Sequence, residues 1–251
     1  MTPSPALDVA VAGGQERQSG RRGESKRSYV RSMFTAIAPR YDFLNHLLSL
    51  NVDRRWRRTA VARLGWEARP GGVYLDLCAG TLDLAATLAR APGFTGTVIG
   101  ADFVLPMLLR GRGKAVRARP VGADALTLPF ADARFDGAMC AFGVRNLADL
   151  DAGLGEAARV LKPGARFVVL EFATPRRAPL RALYLFYFRR LLPAIGRAVS
   201  KHRDAYTYLP ESVLEFPEPA ALARRIEAAG FSDVRFELLS GGICAVHHGA
   251  R

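Results

Sequence analysis

Apolar and polar positions along this chain form two kinds of segment. Short, nearly continuous apolar runs are typical of buried strands, and they occur at 73–77, 97–101, 120–123, 135–142 and 165–172. Stretches with apolar residues every three or four positions predict helices, and they occur at 82–91, 104–111, 148–161 and 219–229. Because the two kinds alternate, the pattern predicts an α/β fold with a parallel sheet and helices on both faces.

The ends of the chain depart from this alternation. Residues 1–27 are rich in Gly, Ser and Arg without an apolar period, which predicts a disordered basic tail before one domain at 28–251. Helical spacing in 28–65 predicts an N-terminal cap, and an insertion of about 175–215 separates the last core strand from the helix that follows it. The final runs, 234–239 and 243–247, flank a Ser-Gly-Gly turn and predict a hairpin.

One strand–loop–helix–strand unit carries the pattern of an adenosine site. The run that contains Asp76 leads through Gly80 into a helical pattern, and the next run ends in Asp102. In such units the loop backbone lies against the ligand, and the second carboxylate accepts hydrogen bonds from the ribose hydroxyls. The order therefore predicts an adenosine ligand, with a purely structural turn as the alternative.

The glycine content of the loop bears on which ligand is expected. A pyrophosphate needs several glycines for close backbone approach, whereas here Cys78 and Leu82 occupy the neighbouring glycine positions of that pattern. No Gly-Lys-Ser/Thr sequence is present either. S-adenosylmethionine (SAM) carries no phosphate, so the sequence favours SAM over NAD.

Composition narrows the expected environment. The three cysteines, Cys78, Cys140 and Cys244, are far apart and form no CxxC pair, which predicts neither a disulfide nor a metal site and fits a cytoplasmic protein. No apolar run reaches the roughly 18 residues of a membrane span. The net charge of +13 is concentrated, since 175–203 holds eight basic residues and no acidic one. Such an excess suggests an anionic partner, although general arginine-rich usage explains it too.

Several motifs in order resemble one family over roughly residues 28–249. They are Tyr41-Asp42 with Asn45, Ser49 and Trp56, then Phe142-Gly143-Val144-Arg145-Asn146, Arg159-Val160-Leu161-Lys162-Pro163-Gly164, Leu170-Glu171-Phe172, Tyr208-Leu209-Pro210-Glu211-Ser212-Val213 and Gly241-Gly242-Ile243. Together they resemble the signatures of the ubiquinone/menaquinone biosynthesis C-methyltransferases. Four positions depart from the family pattern, namely Leu44 for Met, Asp53 for His, Leu82 for the second loop Gly, and Ala141 for Ser.

The resemblance implies a class I SAM-dependent methyltransferase. This fold is Rossmann-like, with a mostly parallel seven-stranded sheet, an antiparallel strand in the C-terminal hairpin and the N-terminal cap over the SAM pocket. The implied reaction transfers a methyl group from SAM to a ring carbon of a polyprenylated demethylquinol. Leu82 and Ala141 favour demethylmenaquinol, at the last step of menaquinone biosynthesis, and the benzoquinol step of ubiquinone biosynthesis is the alternative.

The resemblance also assigns contacts to SAM. Thr81, after Gly80, is expected at the methionine end, with Asp76 near the methionine ammonium group, directly or through water. Asp102 is expected to accept hydrogen bonds from the ribose hydroxyls.

The adenine is expected beside Asp124 and Ala125. The Asp124 carboxylate accepts from the exocyclic amine, and the backbone of Ala125 donates to a ring nitrogen. At Ala141 only the backbone remains to serve the cofactor. The alternative role for Asp124 is that of a helix N-cap.

Catalysis is expected to depend on Arg145, Asn146 and Tyr41. A guanidinium at Arg145 stabilises a developing phenolate, an amide at Asn146 orients the ring oxygen or a water, and Tyr41 lines the substrate cavity. The alternative is that Arg145 is a structural tie to Asp149 or Glu171.

The insertion suggests how a lipid-like substrate is reached. Residues 176–203 are basic and aromatic, which suggests a lid that contacts the inner surface of the cell membrane. The alternative is a basic surface exposed to solvent. A nucleic-acid methyltransferase is a more distant alternative, which the net charge of +13 suggests. No nucleic-acid partner is expected, because the segment after the fourth strand lacks the Pro-Pro motif of base-amino methyltransferases. A catalytically dead nucleotide-binding scaffold is a further alternative, and the oligomeric state is left open, with a homodimer as one option.

Overall fold

Seven strands form one sheet in the computed structural model, which describes residues 25–42, 45, 49, 51–191 and 203–251. The strands are β1 (Val73–Leu77), β2 (Thr97–Asp102), β3 (Ala118–Gly122), β4 (Phe135–Ala141), β5 (Leu161–Phe172), β6 (Ser232–Leu239) and β7 (Cys244–Ala250). Their order is β3-β2-β1-β4-β5-β7-β6, and only β7 runs antiparallel to its neighbours. The predicted α/β class, with a C-terminal antiparallel hairpin strand, is confirmed.

Helices cover both faces of the sheet. They are α1 (25–37), α2 (Asp53–Arg63), α3 (Asp83–Ala89), α4 (Leu105–Gly111), α5 (Leu150–Val160), α6 (Ala178–Phe186), α7 (Arg203–Glu215) and α8 (Pro219–Ala228). Side chains of α5 and α8 pack on one face in a cluster that includes Leu154 and Ile226. Those of α2, α3 and α4 pack on the other face around Val61, Leu88 and Leu108. Alternate residues along each buried strand serve the two clusters, as the period of a strand requires.

Two glycines allow the loops at the carboxyl edge of the sheet to approach closely. A Cβ atom at Gly143 would lie 2.4 Å from Cβ of Cys78, so the loops after β4 and β1 could not meet with any larger residue there. A Cβ atom at Gly111 would lie 2.3 Å from the carbonyl oxygen of Thr81, which fixes α4 against the β1 loop. These contacts bring the ends of β1, β2 and β4 together.

The structure differs from the sequence-based boundaries in three places. Residues 25–27, expected in the tail, are helical and begin α1. Leu161–Pro163, expected to end a helix, open β5, with Gly164 at φ +76° as the bend. The insertion contains the helices α6 and α7, neither of which was predicted.

Some expectations fall outside the described residues. These are the tail 1–24, Leu44 and the basic segment 192–202. The division of the chain into a tail and one domain therefore stays a prediction. Among the described helices, none is long and apolar enough to span a bilayer.

Candidate cofactor and substrate site

A cleft opens at the carboxyl ends of β1, β2 and β4. It encloses about 670 Å³, with its open mouth included, beneath the cap residues of α1 and Tyr41. A neighbouring hollow of about 370 Å³, with its open mouth included, lies at the ends of β2 and β3 and shares Asp102 and Asn146 with the cleft. Of the sequence-predicted site residues, those that line one or both are Tyr41, Asp76, Gly80, Thr81, Asp102, Asp124, Ala125, Ala141 and Asn146. The structure thus brings nine of the ten together, and the tenth is Arg145.

The loop after β1 orients Asp102. Gly80, at φ +52°, donates its amide to Oδ2 of Asp102 at 2.8 Å, and the Val104 amide donates to Oδ1 at 2.8 Å. Cys78 and Leu82 also adopt left-handed backbone conformations, at φ +54° and +64°, which residues with side chains rarely do. Burial raises the pKa of Asp102. Backbone amides thus orient the carboxylate, whose two oxygens have about four acceptor sites, so capacity remains for a ligand hydroxyl.

Asp76 lies beneath the loop, where it is 1% exposed. Its carboxylate accepts the amide of Ala85 at 2.8 Å and so supports the first turn of α3. Burial raises the pKa of Asp76 to about 8, against which the Ala85 hydrogen bond and the charge of Arg57 act. The expected contact with a methionine ammonium group stays a prediction, and near neutral pH the carboxyl is largely protonated.

A charged cluster joins the cap to the loop. The Thr81 hydroxyl donates to Oδ1 of Asp42, and Nζ of Lys114 donates to Asp42 at 2.7 Å and to Asp83 at 2.5 Å. Arg57 adds a second cation to this cluster. The cluster therefore holds the cap residue Asp42 beside Thr81, at the end of the cleft where the methionine part of SAM is expected.

Arg57 is the buried member of a basic run. Its Nη1 atom donates to Asp53 at 2.5 Å, and its Cζ atom lies 5.6 Å from the centre of the Phe142 ring. Sequence reasoning gave no role to Arg57, Asp83 or Lys114. The available signal was the i,i+4 spacing of Asp53 and Arg57, which pairs opposite charges on one helix face.

Asp124 makes a turn rather than a helix cap. Its Oδ1 accepts the amide of Leu126 at 3.0 Å, and a bridge from Asp124 to Thr127 closes the turn. The N-cap alternative is wrong, because no helix begins there. The guanidinium of Arg27, from α1, forms an ion pair with Oδ2 of Asp124. Ala125 follows, buried, at the wall of the hollow.

Arg145 is buried behind the cleft. Its Nη1 atom donates to Glu171 at 2.8 Å and to the carbonyl of Phe142 at 2.5 Å, and its Cζ atom lies 5.5 Å from the centre of the Phe172 ring. Burial raises the pKa of Glu171. Of the two structural partners expected for Arg145, the structure therefore shows Glu171. Asp149 instead caps α5, where it accepts the Ala152 amide at 3.0 Å. Direct contact between Arg145 and a phenolate stays a prediction.

Asn146 does reach the cleft, and two elements hold it. Its Oδ1 accepts the hydroxyl of Tyr208 at 3.1 Å, and its Nδ2 lies 3.4 Å from the carbonyl of Phe142. Tyr208 belongs to α7 and contacts the ring of Tyr29, with 5.6 Å between the ring centres. Sequence reasoning quoted Tyr208 in a motif without giving it a role, although a motif inside an insertion was a signal.

The first turn of α1 is hydrogen-bonded to the loop that carries Asn146. Nζ of Lys26 donates to the carbonyls of Arg145 at 3.1 Å and Leu147 at 2.7 Å, on either side of Asn146. Tyr41 closes the cap with an edge contact to Phe34, at 5.8 Å between ring centres, and burial raises the pKa of Tyr41. The aromatic side of the cleft is therefore built by the cap.

The sequence matches the model of the ubiE/COQ5 methyltransferase family over residues 22–251. The chain belongs to this family. It is 52% identical over 224 residues to a demethylmenaquinone methyltransferase of Thermus thermophilus, a match that covers 87% of this chain and 100% of that one. It is 43% identical over 232 residues to a ubiquinone/menaquinone biosynthesis C-methyltransferase UbiE of Geobacter sulfurreducens, with 90% of each chain covered.

Solved structures share the fold at low identity. The [4+2]-cyclase SpnF matches with a TM-score of 0.65 and 16% identity, covering 88% of this chain and 95% of that chain. The phosphoethanolamine N-methyltransferase 2 of Haemonchus contortus, solved with SAM, matches with a TM-score of 0.53 and 14% identity, covering 77% and 52%. Family and fold together make this chain a SAM-dependent methyltransferase.

The site fits SAM. Asp102, oriented by backbone amides beside a glycine turn, keeps acceptor capacity for ribose hydroxyls. The hollow at Asp124 and Ala125 continues from it on the side where the adenine is expected. The charged cluster lies on the opposite side, at Thr81 and Asp83.

Proposed function

We propose that this enzyme methylates a ring carbon of demethylmenaquinol, a polyprenylated demethylquinol, at the last step of menaquinone biosynthesis. The carrying observation is the cleft itself, which is lined by the carboxylate of Asp102, the amide of Asn146 and three aromatic side chains, Phe34, Tyr41 and Phe142. A flat ring fits between such side chains, and an amide at its edge can bind a ring oxygen. The name of the relative at 52% identity supports menaquinone chemistry.

The reaction needs little general acid–base catalysis from the protein. SAM supplies a methyl group that its sulfonium already activates. With SAM bound, the ring carbon of the quinol, after loss of a hydroxyl proton to solvent, would bond to the methyl carbon as the carbon–sulfur bond breaks and S-adenosylhomocysteine leaves. The ring would then lose the proton of that carbon to solvent. Asn146 holds the ring oxygen, Tyr41 and Phe142 fix the plane of the ring, and the cap excludes water. Arg145, through its buried charge and its tie to Glu171, stabilises the loop that carries Asn146.

The benzoquinol step of ubiquinone biosynthesis is the second candidate. The relative at 43% identity, whose name covers both quinones, supports it. Leu82 and Ala141 favour the menaquinone substrate, since they stand at positions where ubiquinone-type relatives are expected to have Gly and Ser.

The deciding experiment measures methyl transfer from labelled SAM. Purified enzyme is given chemically reduced demethylmenaquinone in one reaction and the demethylated benzoquinol in another, each with a short prenyl tail. We expect faster turnover of the naphthoquinol, with the label on a ring carbon. Faster turnover of the benzoquinol would favour the second candidate, and methylation of neither would refute the proposal.

We further propose that the enzyme works from the cytoplasm against the inner face of the cell membrane. Helix α6 exposes Leu183 at 64% and Phe186 at 56%, three residues apart and therefore on one face. Exposed Arg177 and Arg181 flank these apolar side chains. Apolar side chains beside cations suit an anionic lipid surface, where the substrate resides.

Vesicle binding tests this surface. Vesicles with anionic lipid should sediment the wild-type enzyme, and a Leu183→Gln, Phe186→Gln variant should bind them markedly less. The matched control is Leu105→Gln, Leu109→Gln, because these side chains are 54% and 56% exposed on α4, which packs on β2 and β3 at the other end of the sheet. Equal binding by both variants would contradict the membrane surface and leave the methylation proposal intact.

A further inference from the structure

Two buried polar atoms in the cleft have no hydrogen-bond partner among the described residues. They are Nε of Arg57 and Oδ2 of Asp83, and both residues line the cleft. The Arg57 side chain is 8% exposed, so water does not readily replace the missing partner. Buried polar groups in folded proteins are nearly always paired, and an unpaired one calls for an explanation such as a ligand.

The side chains that carry these two atoms are fixed by hydrogen bonds through their other polar atoms. Arg57 is anchored through Nη1 to Asp53 at 2.5 Å, and Asp83 is anchored through Oδ1 to Lys114 at 2.5 Å. Nη2 of Arg57 lies 3.8 Å from Oδ2 of Asp83, which is beyond hydrogen-bond length. A fixed donor and a fixed acceptor of opposite charge therefore stand side by side, each with one unused position.

We propose that Arg57 and Asp83 form the receptor for the α-amino acid group of SAM. Oδ2 of Asp83 accepts from the ammonium group, and Nε of Arg57 donates to the carboxylate. A zwitterion is the chemical complement of an adjacent anion and cation, because each of its ends finds the opposite charge. The inference rests on the SAM-binding part of the proposed function and is independent of the quinol.

The position of the pair agrees with this ligand. Arg57 and Asp83 lie beside Thr81, on the side of Asp102 away from the hollow at Asp124. An adenosine with its base at Asp124 and its ribose at Asp102 directs its 5′ substituent toward them. The amino acid group is the charged part of that substituent.

The neighbouring charged groups are less suited to this task. Lys114 already donates to two carboxylates, and both oxygens of Asp42 are occupied by Lys114 and Thr81. Asp76 is used by the Ala85 amide, and burial raises its pKa to about 8, so it is largely uncharged near neutral pH. Arg57 and Asp83 are thus the groups with capacity left.

Calorimetry with three adenosine ligands separates this receptor from the rest of the pocket. S-adenosylhomocysteine carries the amino acid group, 5′-methylthioadenosine lacks it, and decarboxylated SAM lacks only the carboxylate. The variants are Asp83→Asn and Arg57→Lys; the latter keeps a charge beside Asp53 but removes the Nε donor. Controls are Asp151→Asn, also in the first turn of a helix, and Arg58→Lys, the exposed neighbour in α2.

We expect each variant to bind S-adenosylhomocysteine about 10- to 100-fold more weakly, the usual cost of a lost charged hydrogen bond, and methylthioadenosine within about twofold. Arg57→Lys should leave the affinity for decarboxylated SAM unchanged, and the controls should match wild type. Equal losses for S-adenosylhomocysteine and methylthioadenosine, or no loss for either, would overturn the receptor. If one variant does not fold, the other carries the test. Failure to methylate a quinol would refute the substrate proposal and leave these affinity ratios untouched.

Discussion

The two halves of the site differ in how their polar groups are partnered. On the side of β1 and β2, backbone amides orient Asp76 and Asp102, as Gly80 does for Asp102. The ion pairs on this side leave Nε of Arg57 and Oδ2 of Asp83 without a hydrogen-bond partner among the described residues. On the side of β4 and β5, buried side chains are paired with one another, as Arg145 is with Glu171. In this second half, Asn146 presents its side chain to the cleft, and Tyr208 holds it.

This difference determines which half is ready for a ligand. A backbone amide fixes the direction of a carboxylate without cancelling its charge, so the first half offers preformed acceptors. An ion pair cancels the charges of both partners, so the second half is mainly a rigid wall. Substitutions in the first half should therefore change cofactor affinity, and those in the second half stability and turnover.

Arg145→Ala should have the largest effect and act through the second half. It leaves the buried carboxyl of Glu171 unpaired, and such a break typically costs about 3–5 kcal/mol of unfolding free energy. Turnover should fall far more than SAM affinity, since the cofactor half stays intact. Urea unfolding, steady-state kinetics and calorimetry with SAM measure the three quantities.

A double variant sharpens this test. Arg145→Met with Glu171→Leu removes both charges and should recover most of the stability, because a buried pair is often replaced by apolar residues without loss. Turnover should stay low if the charge of Arg145 supports the reaction. Full recovery of turnover would reduce Arg145 to a structural tie, and an equal loss of SAM affinity and turnover in Arg145→Ala would contradict the division of the site.

Asp102→Asn should have the next largest effect and act through the first half. One amide N–H₂ group then faces a backbone donor, Gly80 or Val104, and the ribose loses a charged acceptor. Loss of a charged hydrogen bond predicts SAM binding about 10- to 100-fold weaker. Calorimetry measures this, with Asp151→Asn as a control on the surface of α5. Unchanged affinity would mean that Asp102 only supports the loop.

The positions of Asp76 and Asp102 at the ends of β1 and β2 could be predicted because their signals are local. An apolar run that ends in Asp102 fixes both the strand and the position of the carboxylate at its end. The partners of Arg145 and Asn146 could not be chosen in the same way, since Glu171 and Tyr208 lie 26 and 62 residues away along the chain. Arg57 was missed for the same reason, because its neighbour Asp83 comes from another helix and only packing brings them together.

Asp76 gives the first half a pH dependence. Burial raises its pKa from the ordinary 3.8 to about 8, so the folded protein holds this proton at pH values where the unfolded chain has lost it. The contribution of this proton to the free energy of unfolding is fully present below pH 3.8 and is lost as the pH rises through 8. The slope is at most about 1.4 kcal/mol per pH unit. Asp76→Asn keeps an acceptor for the Ala85 amide and removes the slope.

Denaturant unfolding of wild type and Asp76→Asn at several pH values between 5 and 8 measures this contribution. The variant should gain stability relative to wild type as the pH rises. If the difference in unfolding free energy between the two proteins is constant across the range, Asp76 is ionised in the folded protein. That result would support its expected contact with the ammonium group of SAM.

Tyr208→Phe should have the smallest effect, because it removes only the hydrogen bond that orients Asn146. The substitution removes the hydroxyl that lies 3.1 Å from Oδ1 of Asn146 and leaves the ring contact with Tyr29. A neutral hydrogen bond contributes about 1 kcal/mol, so kcat should fall about fivefold as the amide loses its orientation. SAM affinity should not change, because the cofactor half is untouched. The matched control is Tyr184→Phe, since the buried hydroxyl of Tyr184 has no partner among the described residues. If both variants lower kcat equally, the effect comes from packing in the insertion, and the hydrogen bond to Asn146 does not position the quinol.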